Sequence, residues 1–426
     1  MRGFLRLISL SLAVAGLAAV SCNTYTSSLL EGPGSGHAAD CHWGDCWWST
    51  KTAQGCRDVS NPSDSKPPAH VTGTDIDDIY LGMTKLYLGE SAPPNTLPPE
   101  GAGAPTAGQQ PYQFFGLDLD GLCTNPVSCS AAPKDDIGCT TASGVPADGQ
   151  GCRDNVFARI EPQLAADPEL GVAYGINEND FDCGLYRGSF NILFKISHYN
   201  GKLDDDQVRV DLYMSPGLST VPSWKCAGDE AWKGEIVWLS SAPWLVDQAG
   251  LGGAIDPLGT LPDAKTVYDP SAFVRDGYLV AHIPNGEQLR LIGDQSAHNG
   301  FALVLQEGLV TGRLFVNQDN VWALDDALIS GRIRKSDLEQ SFNDVGFCDS
   351  GTVTPVQPVS AAEYKKLTDL LDSSADVLAN AANSKSAGCD SLSVGIGFEA
   401  LTVEPGPAVT VSSLQKCGPP KNPYMP

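Results

Sequence analysis

The sequence predicts a mainly β protein, an antiparallel β-sandwich or jelly roll with one amphipathic helix near its C-terminus and several disulfides. Three observations predict this class. From residue 112 onward, short runs of alternating apolar and polar residues are separated by turn signals. Helix signals are sparse along the same stretch. Thirteen cysteines in 426 residues are enough for several cross-links.

Two hairpins are predicted in the middle of the chain. The stretch "SFNILFKISHYNGKLDDDQVRVDLYM" alternates on both sides of Asn200-Gly201, and "YLVAHIPNGEQLRLIG" does so around Asn285-Gly286. Asn-Gly pairs favour two-residue hairpin turns because both residues tolerate positive φ angles. We therefore expect each stretch to form two antiparallel strands.

The second half of the chain contains a short internal repeat. The segments "EGLVTGRLFV", from Glu307, and "DALISGRIRK", from Asp326, share one pattern and lie 19 residues apart. A solenoid needs at least three such units. The repeat therefore predicts two related strands in one sheet.

The C-terminal part contains the clearest helix and a closing strand. Ser360 and Glu363 form a capping box, followed by spaced leucines, which predicts an amphipathic helix over residues 361–382. A shorter helix is predicted from Ser336. In "SLSVGIGFEAL" the large apolar residues alternate with Ser or Gly, so another backbone can approach the small-residue face closely.

Composition divides the chain into six segments. The predicted order is a signal peptide, a lipidated flexible tether, a Cys/Trp-rich stapled region, a first β half with Asp-rich loops, a second β half, and a helix with closing strands and tail. Their predicted bounds are 1–21, 22–40, 41–70, 71–225, 226–350 and 351–426.

The N-terminus has the layout of a secretory signal. Arg2 and Arg6 precede a short apolar run, which ends in "AAVSC" at Cys22. This ending resembles the lipobox of bacterial lipoproteins, and the resemblance implies that Cys22 is lipidated and becomes the mature N-terminus. Asn23 follows in place of the Asp typical of inner-membrane retention, which implies the outer membrane or cell surface. The alternative is an ordinary cleaved signal in which Cys22 has no role.

Cysteine number and charge agree with an extracytoplasmic location. Lipidation of one cysteine leaves an even number, so up to six disulfides can form in an oxidising compartment. The net charge is −24, and loss of Arg2 and Arg6 makes the mature chain more acidic still. Nucleic acid is therefore an unfavourable partner. Cations, neutral glycans and surface proteins remain, and membrane contact is expected through the N-terminal lipid only.

The stretch "GLDLDGLC" predicts a metal site. In an extended strand Asp118 and Asp120 point to one face and the two leucines to the other. Further carboxylates follow in "KDDIGC" and "ADGQGCRDN", including Asp148 and Asp154. These Asp/Gly/Cys loops resemble the calcium-binding loops of thrombospondin type 3 modules. The resemblance implies calcium at Asp118, Asp120, Asp148 and Asp154, and the alternative is a solvated turn whose acids cap backbone amides.

Other clusters carry weaker signals. Glu178, Asp180 and Asp182 are candidates to join the Asp118 site, whereas Asp204–Asp206 read as a charge block protecting an edge strand. The tryptophans of "CHWGDCWW", and those over residues 224–244, are either platforms for sugar rings or core residues.

The leading functional prediction is a lipid-anchored extracytoplasmic β-sandwich that acts in binding or adhesion, stabilised by calcium and directed to glycans. The sequence contains no Gly-x-Ser-x-Gly elbow and no His-Glu-x-x-His motif. A carbohydrate-active hydrolase with an Asp/Glu pair is the second prediction, since such enzymes need only two suitably spaced carboxylates. A structural envelope lipoprotein without a small ligand is the third.

Overall fold

The structure is a computed structural model, and the chain divides into two units, Met1–Ala39 and Asp40–Pro426. Every residue that the structure describes belongs to the second unit. The described residues are 49–51, 57–59, 67–93, 110–122, 124, 138–149, 152–167, 178–220, 242–257, 259–292, 300–344, 347–349, 357–359, 361–380 and 383–411.

Within these residues the structure is mainly β, with four α-helices. The strands are β1 Ser49–Lys51, β2 Arg57–Val59, β3 Ile79–Tyr87, β4 Asn191–Ser197, β5 Asp205–Ser215, β6 Pro243–Asp247, β7 Tyr268–Arg275, β8 Tyr278–Ile283, β9 Gln288–Ile292, β10 Gly300–Val316, β11 Trp322–Arg334, β12 Phe347–Asp349, β13 Gln357–Val359, β14 Ser391–Thr402 and β15 Glu404–Val409. The helices are α1 Val156–Ala166, α2 Glu178–Arg187, α3 Lys335–Asp344 and α4 Ala361–Ser374.

Eight antiparallel strands form a closed barrel. Their order is β11-β14-β3-β4-β5-β7-β8-β10, and β10 pairs again with β11 to close the ring. β9 adds a ninth strand alongside the first half of β10. The barrel therefore draws strands from residues 79 to 402, across the three predicted segments 71–225, 226–350 and 351–426.

One large hydrophobic core is built from alternate residues of the barrel strands. In β14, Leu392, Val394, Ile396 and Phe398 all belong to it, as predicted from their alternation. Phe398 stacks on Phe194 of β4, with ring centroids 5.3 Å apart. An eight-stranded barrel is just wide enough for such side chains to fill it. The opposite face of β14 carries Ser and Gly.

The prediction of a mainly β fold is confirmed, but a sandwich or jelly roll is not. A sandwich has edge strands, whereas the pairing of β10 with β11 leaves none in the main ring. Closure depends on which strands pair at long range. Alternation along single strands carries no information on that pairing.

One predicted hairpin is confirmed, and the other is wrong. β4 pairs with β5, but their last aligned pair is Ser197 with Arg209, so the connection is longer than a two-residue turn. β8 and β9 do not pair with each other. Both pair with β10, whose bulge at Glu307 lets its two halves serve different neighbours.

The two predicted helices are present as α3 and α4, and α4 ends at Ser374, before the predicted 382. The structure adds α1 and α2 in a segment predicted as β with Asp-rich loops. Pro162 inside α1 hid a helical pattern of apolar residues at 156, 157, 160 and 164. α1 packs against β14, and α2 packs against β3.

Disulfides join distant parts of the fold. Cys139 is bonded to Cys389, 250 residues later in the chain. Cys152 and Cys183 are also disulfide-bonded. The prediction of several disulfides is thus supported by described residues, whereas Cys22 and its predicted lipidation lie outside them.

Candidate functional site

The stretch around Asp118 lies on the small-residue face of β14. A β-carbon on Gly395 would lie only 3.1 Å from Cα of Gly116, so the two backbones are in close contact, as the sequence predicted for this face. Leu117 forms an isolated bridge with Asp154, which fixes the register between the two Asp-containing loops. Leu117 and Leu119 are buried, and Asp118 and Asp120 alternate with them. In an extended segment this alternation places the two carboxylates on the same face.

The second loop leads directly into α1 through Asn155. Its side-chain oxygen accepts hydrogen bonds from the Ala158 amide, 3.3 Å, and the Gly395 amide, 2.9 Å, and its Nδ2 donates to the Phe115 carbonyl, 3.1 Å. One buried amide side chain therefore caps α1 and joins it to both β14 and the first loop. Asp154 is held at the amino end of α1, where the helix dipole favours negative charge.

Three of the predicted ligands meet at one point. Asp118, Asp120 and Asp154 each offer a carboxylate oxygen, and these oxygens all lie within 4.8 Å of one another. Asp118 and Asp154 are buried, and Asp120 is half-buried. Calcium binds oxygen at ~2.3–2.6 Å, so oxygens up to about 5 Å apart can share one ion.

Backbone amides orient these carboxylates. Asp154 Oδ2 accepts from the amides of Leu119, at 2.7 Å, and Asp120, at 3.2 Å. Asp118 Oδ1 accepts from the Gly121 amide at 2.7 Å. The positions of the oxygens are therefore set by the folded loop rather than by flexible side chains, which lowers the entropic cost of binding an ion.

Two further buried carboxylates complete the cluster. Asp148, the fourth predicted ligand, accepts from the Thr124 amide and lies in hydrogen-bonding contact with Asp154. Asp376 follows α4 and was not predicted; its carboxylate accepts from the Ser393 amide, 2.8 Å, and the Ser393 hydroxyl, 2.5 Å. We call Asp118, Asp120, Asp148, Asp154 and Asp376 the Asp site.

Burial and mutual repulsion raise the pKa values at the Asp site. The pKa of Asp154 lies well above its usual value because of burial and then the charges of Asp148, Asp120 and Asp118. Burial also raises the pKa of Asp148 well above the usual range, against the opposing effect of the Thr124 amide. The pKa of Asp376 is raised to about 7, mainly by burial. The cluster therefore holds excess negative charge that either protons or a cation must neutralise.

One buried guanidinium supports the loops without neutralising the cluster. Arg332 of β11 is 1% exposed and donates to the carbonyl of Leu119 and, at 2.8 and 2.7 Å, to those of Leu378 and Asn380. It thereby ties the first Asp loop to the segment that follows Asp376. Arg332 contacts these two segments through their backbone carbonyls. It therefore positions the loops that carry the Asp site.

A small cleft adjoins the Asp site. It is lined by Tyr112, Arg153, Asp148, Asp154 and Asp376, among others, and it is too narrow to admit a water-sized sphere. Ligand pockets for drug-sized molecules are usually ~300–1,000 Å³. The cleft is thus far too small for an organic substrate.

The Cys139–Cys389 disulfide borders the same site. A β-carbon on Gly138 would lie 2.6 Å from Oδ2 of Asp120, and Asn383 donates to the Asp120 carbonyl at 2.6 Å. The Cys139 loop and the segment before β14 therefore enclose Asp120 from two sides.

The other acidic clusters lie elsewhere. Glu178 and Asp182 belong to α2, and their carboxylates accept hydrogen bonds from backbone amides at the end of β3. Their predicted role at the Asp118 site is therefore wrong. Asp205 is buried and accepts from the Asn200 amide at 2.7 Å. Since β5 has neighbours on both sides, the predicted edge-strand charge block is also wrong.

Several predicted residues lie outside the described part of the chain. They are Asp135, Asp136 and the tryptophans 43, 47, 48, 224, 232 and 238. Trp244, from the second predicted group, is a core residue with no exposed surface.

Asp376, Asn155 and Arg332 were missed for a common reason. Each acts through a partner more than 100 residues away in sequence, such as Asp376 beside Asp120. The local sequence offered one signal, the charged residue Arg332 at a position of the repeat that is flanked by apolar residues. Such a residue needs several acceptors to be stable in a core.

Comparisons with known proteins give no match: no family model, no curated protein and no solved structure matches this chain. In the described residues, no helix combines the length and apolarity required to cross a membrane.

Proposed function

We propose that the Asp site binds calcium and that the ion joins three distant segments of the fold. The observation that carries this proposal is the convergence of Asp118, Asp120 and Asp154 within 4.8 Å. Calcium prefers six to eight hard oxygen ligands, and carboxylates, backbone carbonyls and water supply them. Asp148 and Asp376 add charge and oxygen atoms beside the three, so the donor set fits the ion.

The proposed biological role is that of a lipid-anchored extracytoplasmic protein that acts in binding or adhesion. It rests on the secretory layout with Cys22, the disulfide-bonded cysteines and the acidic composition. Calcium at the ~10⁻⁴–10⁻³ M affinities of extracellular modules suits a site that serves stability outside the cytoplasm. Partners remain a surface protein or a neutral glycan.

The geometry favours an ion over a sugar at this site. A hydrolase needs room for a sugar ring between its two carboxylates, and the cleft beside Asp148 and Asp154 does not admit even a water-sized sphere. Glycan binding would need exposed aromatic faces. Of the tryptophans that the structure describes, Trp244 is buried and Trp322 is half-buried, so a platform would have to come from the other tryptophans.

Thermal unfolding of the mature, oxidised protein tests the calcium proposal. We expect chelator to lower the melting temperature and calcium to restore it, because a ligand at 100 times its dissociation constant adds ~2.7 kcal/mol to stability. The double variant Asp118→Asn/Asp120→Asn is expected to lose this response. Asn keeps the size of the side chain while removing the charge and one strong acceptor.

The matched control removes two charges from exposed positions, Asp319→Asn with Glu404→Gln. It should respond to calcium as the wild type does. Equal melting temperatures in calcium and chelator for the wild type would show that the Asp site is held by protons and hydrogen bonds alone.

The anchor is tested separately. We expect Cys22→Ala to release the protein from membranes and to abolish incorporation of labelled fatty acid. A wild-type protein that incorporates no fatty acid label and is released from membranes would leave the ordinary cleaved signal as the explanation of the N-terminus.

A further inference from the structure

A second buried carboxyl lies on α1, away from the Asp site. Glu161 is 1% exposed, and its carboxylate oxygens make no well-aligned hydrogen bond within the described residues, although they face the Glu90 carboxyl and the Glu178 backbone amide. A buried carboxylate without a donor costs several kcal/mol unless a proton or a cation neutralises it. Glu161 lies seven residues after Asp154, which is about 10 Å along a helix at ~1.5 Å per residue.

The charged groups that face Glu161 are acidic. Its pKa is raised to about 9 by burial and then by the charges of Glu90 and Glu178. Glu90 lies in the turn after β3, and the residue as a whole is exposed. Its carboxyl is partly buried, and this burial, followed by the charge of Glu178, raises its pKa. Lys85 acts on Asp182 one turn along α2 rather than on Glu161. We call Glu90, Glu161 and Glu178 the Glu site.

Glu178 is held in place by the turn after β3. Its Oε2 accepts from the amides of Leu88, 2.9 Å, Gly89, 3.3 Å, and Ser91, 3.1 Å, and its Oε1 accepts from the Ser91 hydroxyl. These bonds satisfy its charge locally. Glu161 and Glu90 are therefore the two carboxylates with capacity for a further ligand.

A backbone oxygen on the same helix face contacts the turn that carries Glu90. Pro162 has no N–H in the position that would bond the Ala158 carbonyl, so this carbonyl lacks its α-helical donor. Ala158 and Glu161 are three residues apart, on one face of α1. Gly89 comes so close to that carbonyl that a β-carbon would lie 1.9 Å from its oxygen. The freed carbonyl thus faces the turn that carries Glu90.

We propose that Glu161 and Glu90 form a second site for a divalent, oxygen-preferring cation, separate from the Asp site. The buried carboxylate of Glu161, whose oxygens make no well-aligned hydrogen bond within the described residues, is the inner ligand. The exposed side chain of Glu90 provides the entry from solvent, where water completes the coordination. Binding displaces the proton that otherwise neutralises Glu161. The two sites lie at either end of the first two turns of α1.

Calorimetric titration of the mature protein with calcium at about pH 8 tests this, where the ion competes with the Glu161 proton. We expect two ions per chain in the wild type and one in Glu161→Gln. Glu90→Gln, which changes an exposed side chain, should lose the same ion or weaken it at least tenfold. Asp118→Asn/Asp120→Asn should keep this ion and lose the other, so failure at one site is distinguishable from failure at the other.

Glu404→Gln is the matched control, since it removes one exposed carboxylate from β15 and should still bind two ions. Far-ultraviolet circular dichroism verifies that each variant is folded. If Glu161→Gln does not fold, the Glu90→Gln titration decides. The titration extends to roughly 10 mM calcium, ten times the ~10⁻³ M dissociation constant of the weakest usual extracellular sites. An unchanged ion number in these two variants up to that concentration would overturn the proposal. Glu161 and Glu90 would then share only a proton.

Discussion

Single buried charges show how this fold places polar groups in its core. Arg332 and Arg313 occupy the same position of the repeated strand pattern, yet their surroundings differ. Arg313 is 41% exposed and forms a bidentate pair with Asp325. Arg332 is buried, and its nearest carboxylate is Glu307, with Nε to Oε2 at 3.3 Å. The same side chain is thus a surface ion pair in one strand and a buried clamp in the next.

At this scale we predict unequal effects for Arg332→Met and Arg313→Met. The first removes the donor from one buried carbonyl, that of Leu119, and from two part-buried carbonyls, and the buried one alone costs ~1–3 kcal/mol. The second removes a half-exposed ion pair, typically worth ~0–1 kcal/mol. Urea unfolding measures both values. Because Arg332 ties Leu119 to the segment after Asp376, its variant should also weaken calcium binding. Equal losses for the two variants would contradict its role as a clamp.

The pairing of β10 with β11 gives a physical reason for the internal repeat, since each strand carries one copy of it. Its first residues, Glu307 and Asp326, both have positive φ, 51° and 46°, and both lie at register shifts of their strands. Since β10 and β11 pair antiparallel, Glu307 meets the arginine of the other copy, and the charge of Asp326 acts on Arg313. The sequence predicted two related strands in one sheet, which is confirmed. It gave no sign of the bulges, because only pairing defines them.

β14 contacts the Asp loops so closely at Gly395 that we expect one added methyl group there to lower the stability of the fold. In Gly395→Ala, the new carbon would lie 2.9–3.0 Å from the amide of Asn155 and 3.1 Å from Gly116. We expect a loss of ~1–3 kcal/mol, typical of overpacking. Calcium affinity should fall with it, because Asn155 joins both Asp loops.

Gly250→Ala is the control for this prediction, since no atom of the described residues lies within 4 Å of its new carbon and its φ is not in the left-handed region. It should stay within ~0.5 kcal/mol of the wild type in urea unfolding. If Gly395→Ala matches it, the close approach of the backbones does not matter for stability.

The Cys139–Cys389 disulfide gives a second prediction for elements. Replacing both cysteines by alanine frees the segment beside Asp120 and opens the loop that the cross-link closes in the unfolded chain, which raises the entropy of the unfolded state. We expect a loss of ~2–5 kcal/mol, the usual range for a native disulfide. Calorimetry should show weaker calcium binding in the double variant, whereas an unchanged dissociation constant would mean that the hydrogen bonds to the Asp120 loop hold it without the disulfide.

For the whole molecule, the sequence could predict what local patterns determine. Alternation identified β4, β5 and β14, capping identified α4, and Asp/Gly spacing identified four residues that the fold brings together. Closure of the barrel depends on β10 pairing with both β8 and β11, which no local pattern records. Asp376 escaped prediction for the same reason, since the carboxylate whose charge acts on it, that of Asp120, lies far away in the sequence.

Raised carboxyl pKa values give the whole molecule an unusual pH dependence without calcium. The pKa values of Asp376 and Asp182 are raised to about 7 and that of Glu161 to about 9. Their unfolded values are ~4, so between these limits the folded state binds more protons than the unfolded state. Stability is therefore fully present near pH 4 and falls as the pH rises through 7 and toward 9.

We expect urea unfolding in chelator to show a free energy that decreases from about pH 5 to about pH 8, by up to ~1.4 kcal/mol per pH unit for each group that titrates. Calcium replaces protons at the Asp site, so the slope should become smaller when calcium is present. Asp376→Asn should flatten the slope in chelator by about one group, whereas exposed Asp319→Asn should not. A stability that rises with pH in chelator would mean that these carboxylates are ionised in the metal-free fold.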